Sequence, residues 1–261
     1  MTALLSLTEV EVKRSGKNIL GPISWELSEG ERWVILGPNG AGKTTFLQLL
    51  GALIHPSKGD VYLLGEKLGS VDVFELRPRI GMSSSALNDA IPSDEKVIDL
   101  VLTAAYAITG RWIEEYDLWD ESRAKALLDI FGIRELANRT YGTLSEGERK
   151  RAQIARSLMA DPEILLLDEP AAGLDLGGRE DILRRISRYL SESGSPASVI
   201  VTHHIEEIPA GTTHALLLKE AQAFAAGPII ETLTEPNIQA VFGVDVRLSF
   251  DGTRYFATSR T

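Results

Sequence analysis

Residues 37–45 read GPNGAGKTT, directly after the apolar run WVIL and at the head of an apolar-rich stretch, residues 43–54, that stops before His55 and Pro56. The letters fit G-x-x-x-x-G-K-[ST] in a strand–loop–helix setting, the context a phosphate-cradling loop requires. Gly37, Pro38, Asn39, Gly40, Ala41, Gly42 and Thr45 form the wall of such a cradle. Its glycines let the chain turn so that backbone N–H groups point at phosphate oxygens, and the helix N-terminus adds its positive end. Lys43 supplies a full positive charge for the outer phosphates, and Thr44 offers a hydroxyl to magnesium. A chance glycine-rich turn is the bland alternative, against which the full pattern in this context weighs. Kinases, switch GTPases, helicases and pumps share the loop, so it constrains fold and ligand class but not activity.

Composition narrows the remaining classes. The chain has 261 residues, 44% hydrophobic and 25% charged, enough for one large domain or a domain with a small appendage. Its formal charge of -10, from 27 basic and 37 acidic residues, argues against an unspecific electrostatic grip on nucleic acid or anionic lipid. No cysteine is present, which excludes disulfides and thiolate metal sites and is compatible with a cytoplasmic home. The opening MTALLSLTEVEVKRSG has no basic n-region and is not expected to be a signal peptide. No apolar run approaches the length of a membrane span.

Short apolar runs split by SGKN and SEGE over residues 3–36 predict strands joined by turns. From about residue 83 to 160 the pattern shifts to three- and four-residue spacing (VIDLVLTAAYAI, AKALLDIFGI, RAQIARSLM), which predicts an inserted helical subdomain. EILLLDEP then reads as a strand buried on both faces, followed by a helix, the strand ASVIVTHH, and the strand-like runs HALLLKE and AFAAG. This order implies an α/β fold with a parallel sheet. Residues 228–261 are expected to add a short helix and a closing hairpin.

Two further stretches carry chemistry. In ILLLDEP, Asp168 at the strand end can hold magnesium through water and Glu169 can polarise an attacking water, although two acids after a strand also suit a helix-capping turn. In LSEGERKR, residues 144–151, a glycine sits among five charged residues where a helix begins. By itself that stretch reads as a helix start capped by Ser145 with a solvated first turn.

The set GPNGAGKTT, LSEGERKRAQIARSL, ILLLDEP, AAGLD and VTHH, in that order, resembles the nucleotide-binding subunit of the ATP-binding cassette (ABC) family over roughly residues 3–227. The resemblance implies a P-loop core with a parallel sheet, an antiparallel β subdomain and an inserted helical subdomain. Residues 1–227 would then be the cassette and 228–261 an appendage. It also implies that two cassettes, identical chains being the simpler case, face each other head to tail around ATP and Mg2+. Each signature helix then points at nucleotide held by the other chain, through Ser145, Gly147 and Glu148. Glu146 and Glu148 stand where the family usually has Gly and Gln, and the remaining charges are expected to be solvated. His203 matches the switch histidine, which holds the outer phosphate and the attacking water together with Glu169. Asp175 matches the loop crossing the dimer, and capping of the following helix is compatible with that role. A metal pair at His203 and His204 is disfavoured, because neighbours at a strand end are expected to point apart.

The sequence departs from the family pattern twice. The glutamine usual at the end of the strand RIGMSSSAL, which reaches metal and water, is replaced by Ser85, too short to span the gap without a bridging water. The aromatic residue that stacks on adenine is missing from the turn KRSGK, where Arg14 offers a guanidinium plane instead, so selectivity for the base is expected to be weak. A small residue for the glutamine is similar to a branch grouped with molybdate-type import ATPases. The resemblance implies the ATP-hydrolysing subunit of a membrane transporter, at the cytoplasmic face through a transmembrane permease partner, with no nucleic acid expected. A soluble cassette working as a nucleotide-driven clamp or regulator is the alternative, kept open because the glutamine is missing from the loop that reads membrane partners.

Overall fold

The computed structural model of the chain describes residues 3–84, 87, 90–106 and 117–260. Its centre is a six-stranded sheet in the order β10-β9-β3-β8-β7-β6. The strands are β3 (Arg32–Leu36), β6 (Ile80–Ser83), β7 (Ile164–Asp168), β8 (Ala197–Thr202), β9 (His214–Lys219) and β10 (Gln222–Pro228). All neighbours are parallel except β9 and β10, which close the edge as an antiparallel pair. A second, antiparallel sheet has the order β2-β1-β4-β5, from β1 (Ala3–Arg14), β2 (Lys17–Ser28), β4 (Lys58–Leu63) and β5 (Glu66–Lys67).

The apolar runs of the parallel strands are continuous because both faces are covered, and alternate residues serve different cores. Trp33 and Ile35 face the antiparallel sheet together with Ile164, Leu166, Val199 and Val201. Val34 and Leu36 join Ala215 and Leu217 against the C-terminal elements. Leu165, Leu167 and Ile200 meet the helical lobe. That lobe occupies the crossover between β6 and β7 and includes α3 (Val97–Leu102), α4 (Leu118–Ile130) and α5 (Glu146–Ser157).

Two earlier helices are α1 (Lys43–Leu50) and the short α2 (Val73–Leu76). α1 ends four residues earlier than its apolar pattern suggests, because the chain turns at Gly51 and Ala52 takes a positive φ of 52°. With eight residues it is too short to persist alone, and buried Phe46, Leu47, Leu49 and Leu50 hold it in the core. After β7 come α6 (Leu176–Leu190), α7 (Ile229–Thr232), α8 (Glu235–Phe242) and the hairpin β11 (Val246–Phe250) with β12 (Tyr255–Ser259).

Register decides where the chemistry gathers. Leu36 pairs with Thr202, Val201 with Asp168, and Leu167 with Ser83. The carboxyl ends of β3, β8, β7 and β6 are therefore nearly level, and the loops leaving them emerge side by side, as is usual for sites on open α/β sheets. No helix among the described residues is long and apolar enough to cross a membrane.

Candidate functional site

Loop 37–42 leaves β3 pressed against β9: a Cβ added at Gly37 would lie 2.4 Å from the Leu218 carbonyl oxygen. Gly42, the N-cap of α1, has φ 96°, brings no capping side chain, and is followed by no acidic residue in the first turn. The positive end of α1 thus has no capping side chain and no acid within its own first turn, which suits it to an anion. Lys43 is only 6% exposed. Its ammonium donates to the carbonyls of Gly37 at 2.8 Å and Pro38 at 3.1 Å. Burial pushes its pKa down, while Glu169 and Asp168 pull it up. Thr44 is exposed and Thr45 half-buried in the first turn. Pro38, Asn39, Gly40 and Ala41 border a separate recess of about 400 Å³ shared with Lys219 and Phe242.

Across from α1, the Thr44 hydroxyl donates to the Asp168 carboxylate. Burial raises the pKa of Asp168, Glu169 beside it raises it further, and Lys43, Thr44 and Lys150 oppose the shift. A carboxylate so placed is short of positive charge, and a hard cation between it and the Thr44 hydroxyl would supply it. Among the described residues no group of three His, Asp or Glu side chains forms a metal site by itself.

Glu169 has φ 47°, a left-handed backbone that costs a non-glycine residue about 1–2 kcal/mol. Three hydrogen bonds hold it there: its N–H donates to the Val201 carbonyl at 2.9 Å, and its own carbonyl accepts from Lys150 Nζ at 3.0 Å and the Ala172 N–H at 3.2 Å. The turn aims the carboxylate at His203, whose Nδ1 lies 2.8 Å from Glu169 Oε1. An ionised carboxylate has no proton to give, so Nδ1 is the donor and Nε2 remains for another partner.

The rings of His203 and His204 do not diverge as expected of strand neighbours; their centroids are 4.1 Å apart at 43°. The strand ends at Thr202 and the chain bends, so alternation no longer applies. The bend is pinned by the buried Thr202 hydroxyl, which donates to the Glu207 carboxylate and accepts the His204 N–H at 3.1 Å.

At the start of α5, Ser145 and Glu148 form a capping box. The Ser145 N–H donates to Glu148 Oε2 at 2.7 Å, and the Glu148 N–H donates to Ser145 Oγ at 3.4 Å. The Ser145 hydroxyl also donates to Glu148 Oε2, at 2.9 Å. The Ser145 N–H holds the Glu148 pKa below its usual range. The expectation that the rest of the charged run is solvated does not hold. Arg149 donates to the Gly142 carbonyl and lies over the Tyr141 ring, Lys150 reaches Glu169, and Arg151 pairs with Asp181. Three elements converge on this helix start, so the long side chains bury their stems while their heads find partners. Gly147 is different: among the described residues an added Cβ would meet only Leu174, at 3.7 Å, so none of them demands glycine there. Asp175 caps α6 by accepting the Gly178 N–H at 2.7 Å.

Lys43, Thr44, Asp168, Glu169 and His203 thus converge on one end of the sheet. Arg14 is exposed at the turn between β1 and β2, and Ser85 lies outside the described residues. Ser83, two residues before it, lines a cavity of about 370 Å³ with Thr44, Asp168 and Glu169. Glu146, Arg149, Lys150 and Gln153 of α5 line it as well. No role at this cavity was expected of Arg149, Lys150 and Gln153, although with Glu146 their i, i+3, i+4, i+7 spacing marks a polar helical face.

Residues 20–172 match the family model described as ABC transporter. The ABC transporter ATP-binding protein YlmA of Bacillus subtilis is 40% identical over 98% of this chain and 97% of its own length. Among solved structures, cbiO1 of Clostridium perfringens, part of the ABC transporter complex cbiONQ, superposes with a TM-score of 0.77 at 27% identity, covering 92% of this chain and 94% of cbiO1. The ATP-binding cassette MJ0796, as a dimer in a post-hydrolysis state bound to ADP and Pi, gives 0.75 at 25% identity, covering 86% and 98%. With its phosphate loop, its acid-ended strand and these relatives, the chain belongs to the ABC transporter family and is an ATP-binding cassette.

Proposed function

We propose that the chain hydrolyses ATP at the Lys43–Thr44–Asp168–Glu169–His203 cluster. Two copies would close head to tail on nucleotide, and that motion would drive a transmembrane permease at the cytoplasmic face. The observation that carries this reading is the meeting of the Thr44–Asp168 contact with the Glu169–His203 contact over one strand-end row. Lys43 exchanges its two carbonyl partners for the outer phosphates, and the free N–H groups of loop and α1 take the remaining oxygens. Thr44 and Asp168 hold magnesium. Magnesium held there would neutralise charge on the outer phosphates. Glu169, fixed by its strained turn, orients water and takes its proton, while His203 keeps the carboxylate in place and offers its other nitrogen toward the phosphate. Gly147, which no described residue of its own chain crowds, supports close approach by the nucleotide of a second copy, beside Ser145 at the helix start.

The experiment is sizing with light scattering on Glu169→Gln with ATP and magnesium. Retained nucleotide is expected to hold two chains together, because ligand shared across an interface stabilises the closed state. Adding Ser145→Arg is expected to return the monomer without loss of ATP binding to each chain. A double variant that stays dimeric refutes the role given to the signature, and an E169Q chain that turns over ATP at the parental rate refutes the role given to Glu169.

A further inference from the structure

The hairpin β11–β12 is joined to the body of the protein at two places, α6 and the segment after β8. Arg254, at its turn, has a side chain only 14% exposed. One arm of the guanidinium pairs with Glu180 of α6, and the other donates to the backbone carbonyl of Glu206. The Ala257 N–H of β12 donates to the Glu206 carboxylate at 3.3 Å. Beneath these contacts, Val246 of the hairpin is buried with Ile205 and Ile208, and Leu248, Tyr255 and Ala257 pack against the same cluster.

Arg254 is itself set firmly. Asp251 accepts the N–H groups of Thr253 and Arg254, each at 2.8 Å, and the Thr253 hydroxyl at 2.7 Å. Each partner of Arg254 lies close in sequence to a residue of the cluster. Glu206 follows His203 by three residues, across the bend pinned by Thr202 and Glu207. Glu180 lies five residues beyond Asp175, on the helix that Asp175 caps. A single side chain therefore ties the loop carrying His203 to the helix that continues the Asp175 loop.

We infer that Arg254 is a positioning residue for hydrolysis: through Glu206 and Glu180 it sets His203 against Glu169, so that docking of the C-terminal hairpin tunes turnover rather than nucleotide affinity. This rests on the proposed hydrolytic role of His203. The guanidinium's partners are Glu180 and Glu206 and not a member of the Lys43–Thr44–Asp168–Glu169–His203 cluster, so its influence is carried by the loop and helix it joins. Loss of the tie leaves the phosphate loop, Lys43 and Thr44 untouched and frees the bend that carries the imidazole.

The test is steady-state ATP turnover of the full chain with Arg254→Ala, in parental and His203→Ala backgrounds. In the parental background kcat is expected to fall about tenfold with KM for ATP within about twofold, the split expected when placement is lost but binding is kept. In the His203→Ala background the same change is expected to cost less than about twofold, because groups acting through one another are non-additive. Arg254→Lys, which keeps a donor for the Glu206 carbonyl, is expected to recover part of the loss. Parental kcat in R254A, a proportional rise in KM, or an equal loss in both backgrounds overturns the inference. Should the alanine variant unfold, Arg254→Gln, which keeps the stem and an amide donor, carries the same comparison with the same criteria. A parental chain that hydrolyses no ATP sinks the proposed function and this inference together, whereas active parental protein with an indifferent R254A sinks the inference alone.

Discussion

Glu169 and His203 meet at 2.8 Å although 34 residues and a full helix separate them, because β7 and β8 are adjacent parallel strands whose ends lie level. The carboxylate leaves β7 through a left-handed turn and the imidazole leaves β8 through a pinned bend. Each deviation from regular structure aims one side chain at the other.

His203→Ala is expected to lower kcat by about a hundredfold while KM for ATP changes little, the usual scale for removing a group that serves proton transfer. Steady-state kinetics on the purified chain checks this. A variant that keeps parental kcat would mean that Glu169 needs no help from the imidazole.

Lys43→Ala is expected to remove the response of thermal stability to Mg-ATP. In the parental chain a ligand at about a hundred times its Kd adds about 2.7 kcal/mol to stability. Without the ammonium the outer phosphates lose their one full positive charge within the loop, and the melting curves with and without nucleotide should coincide. Differential scanning measurements decide it.

Asp168→Asn separates stability from activity. The folded pKa of Asp168 is raised above its ordinary value of 3.8, chiefly by burial and then by Glu169. A raised carboxyl contributes stability below that ordinary range and loses it as pH rises through the folded value. At about pH 8 the ionised group therefore costs the nucleotide-free fold something, and the amide is expected to raise Tm by about 2 °C. That advantage should shrink as pH is lowered toward 4. Magnesium-dependent turnover should be lost at every pH. A D168N chain less stable than the parent at about pH 8 would show that the Thr44 contact outweighs the repulsion from Glu169.

Glu148→Gln bears on the dimer. In the single chain the Glu148 carboxylate holds Ser145 by its N–H and its hydroxyl, and it places a negative charge where the second copy would bring phosphate. The neutral amide accepts the same N–H. It is expected to tighten ATP-dependent dimerisation in the Glu169→Gln background by about tenfold, or ~1.4 kcal/mol. The monomer should lose a few tenths of a kcal/mol, up to about 1, as an acid leaves the positive end of α5. Analytical ultracentrifugation reads the first effect and thermal melts the second. Weaker dimerisation would show that the carboxylate serves the interface directly.

The local patterns were legible in the sequence because each is set by neighbours along the chain. The parallel α/β class follows from the order of apolar runs, and the helical lobe from the change in spacing. The turn into α1 and the caps at Ser145 and Asp175 follow from residue types whose preferences are short-range. Motif order carried the rest of the family assignment. Strand order and register were decided only in three dimensions, since they depend on which buried faces match. Nothing between residues 36 and 202 says that β8 lies between β3 and β7, and so that His203 stands between the phosphate loop and the acids. The same holds for the polar face of α5, whose Lys150 looks like one more solvated charge until β7 ends beside it and supplies the Glu169 carbonyl. It holds again for Arg254, whose partners lie 74 and 48 residues away. Such contacts join segments far apart in the chain, and the free energy that selects them comes from burial of the whole core, which no short window of sequence contains.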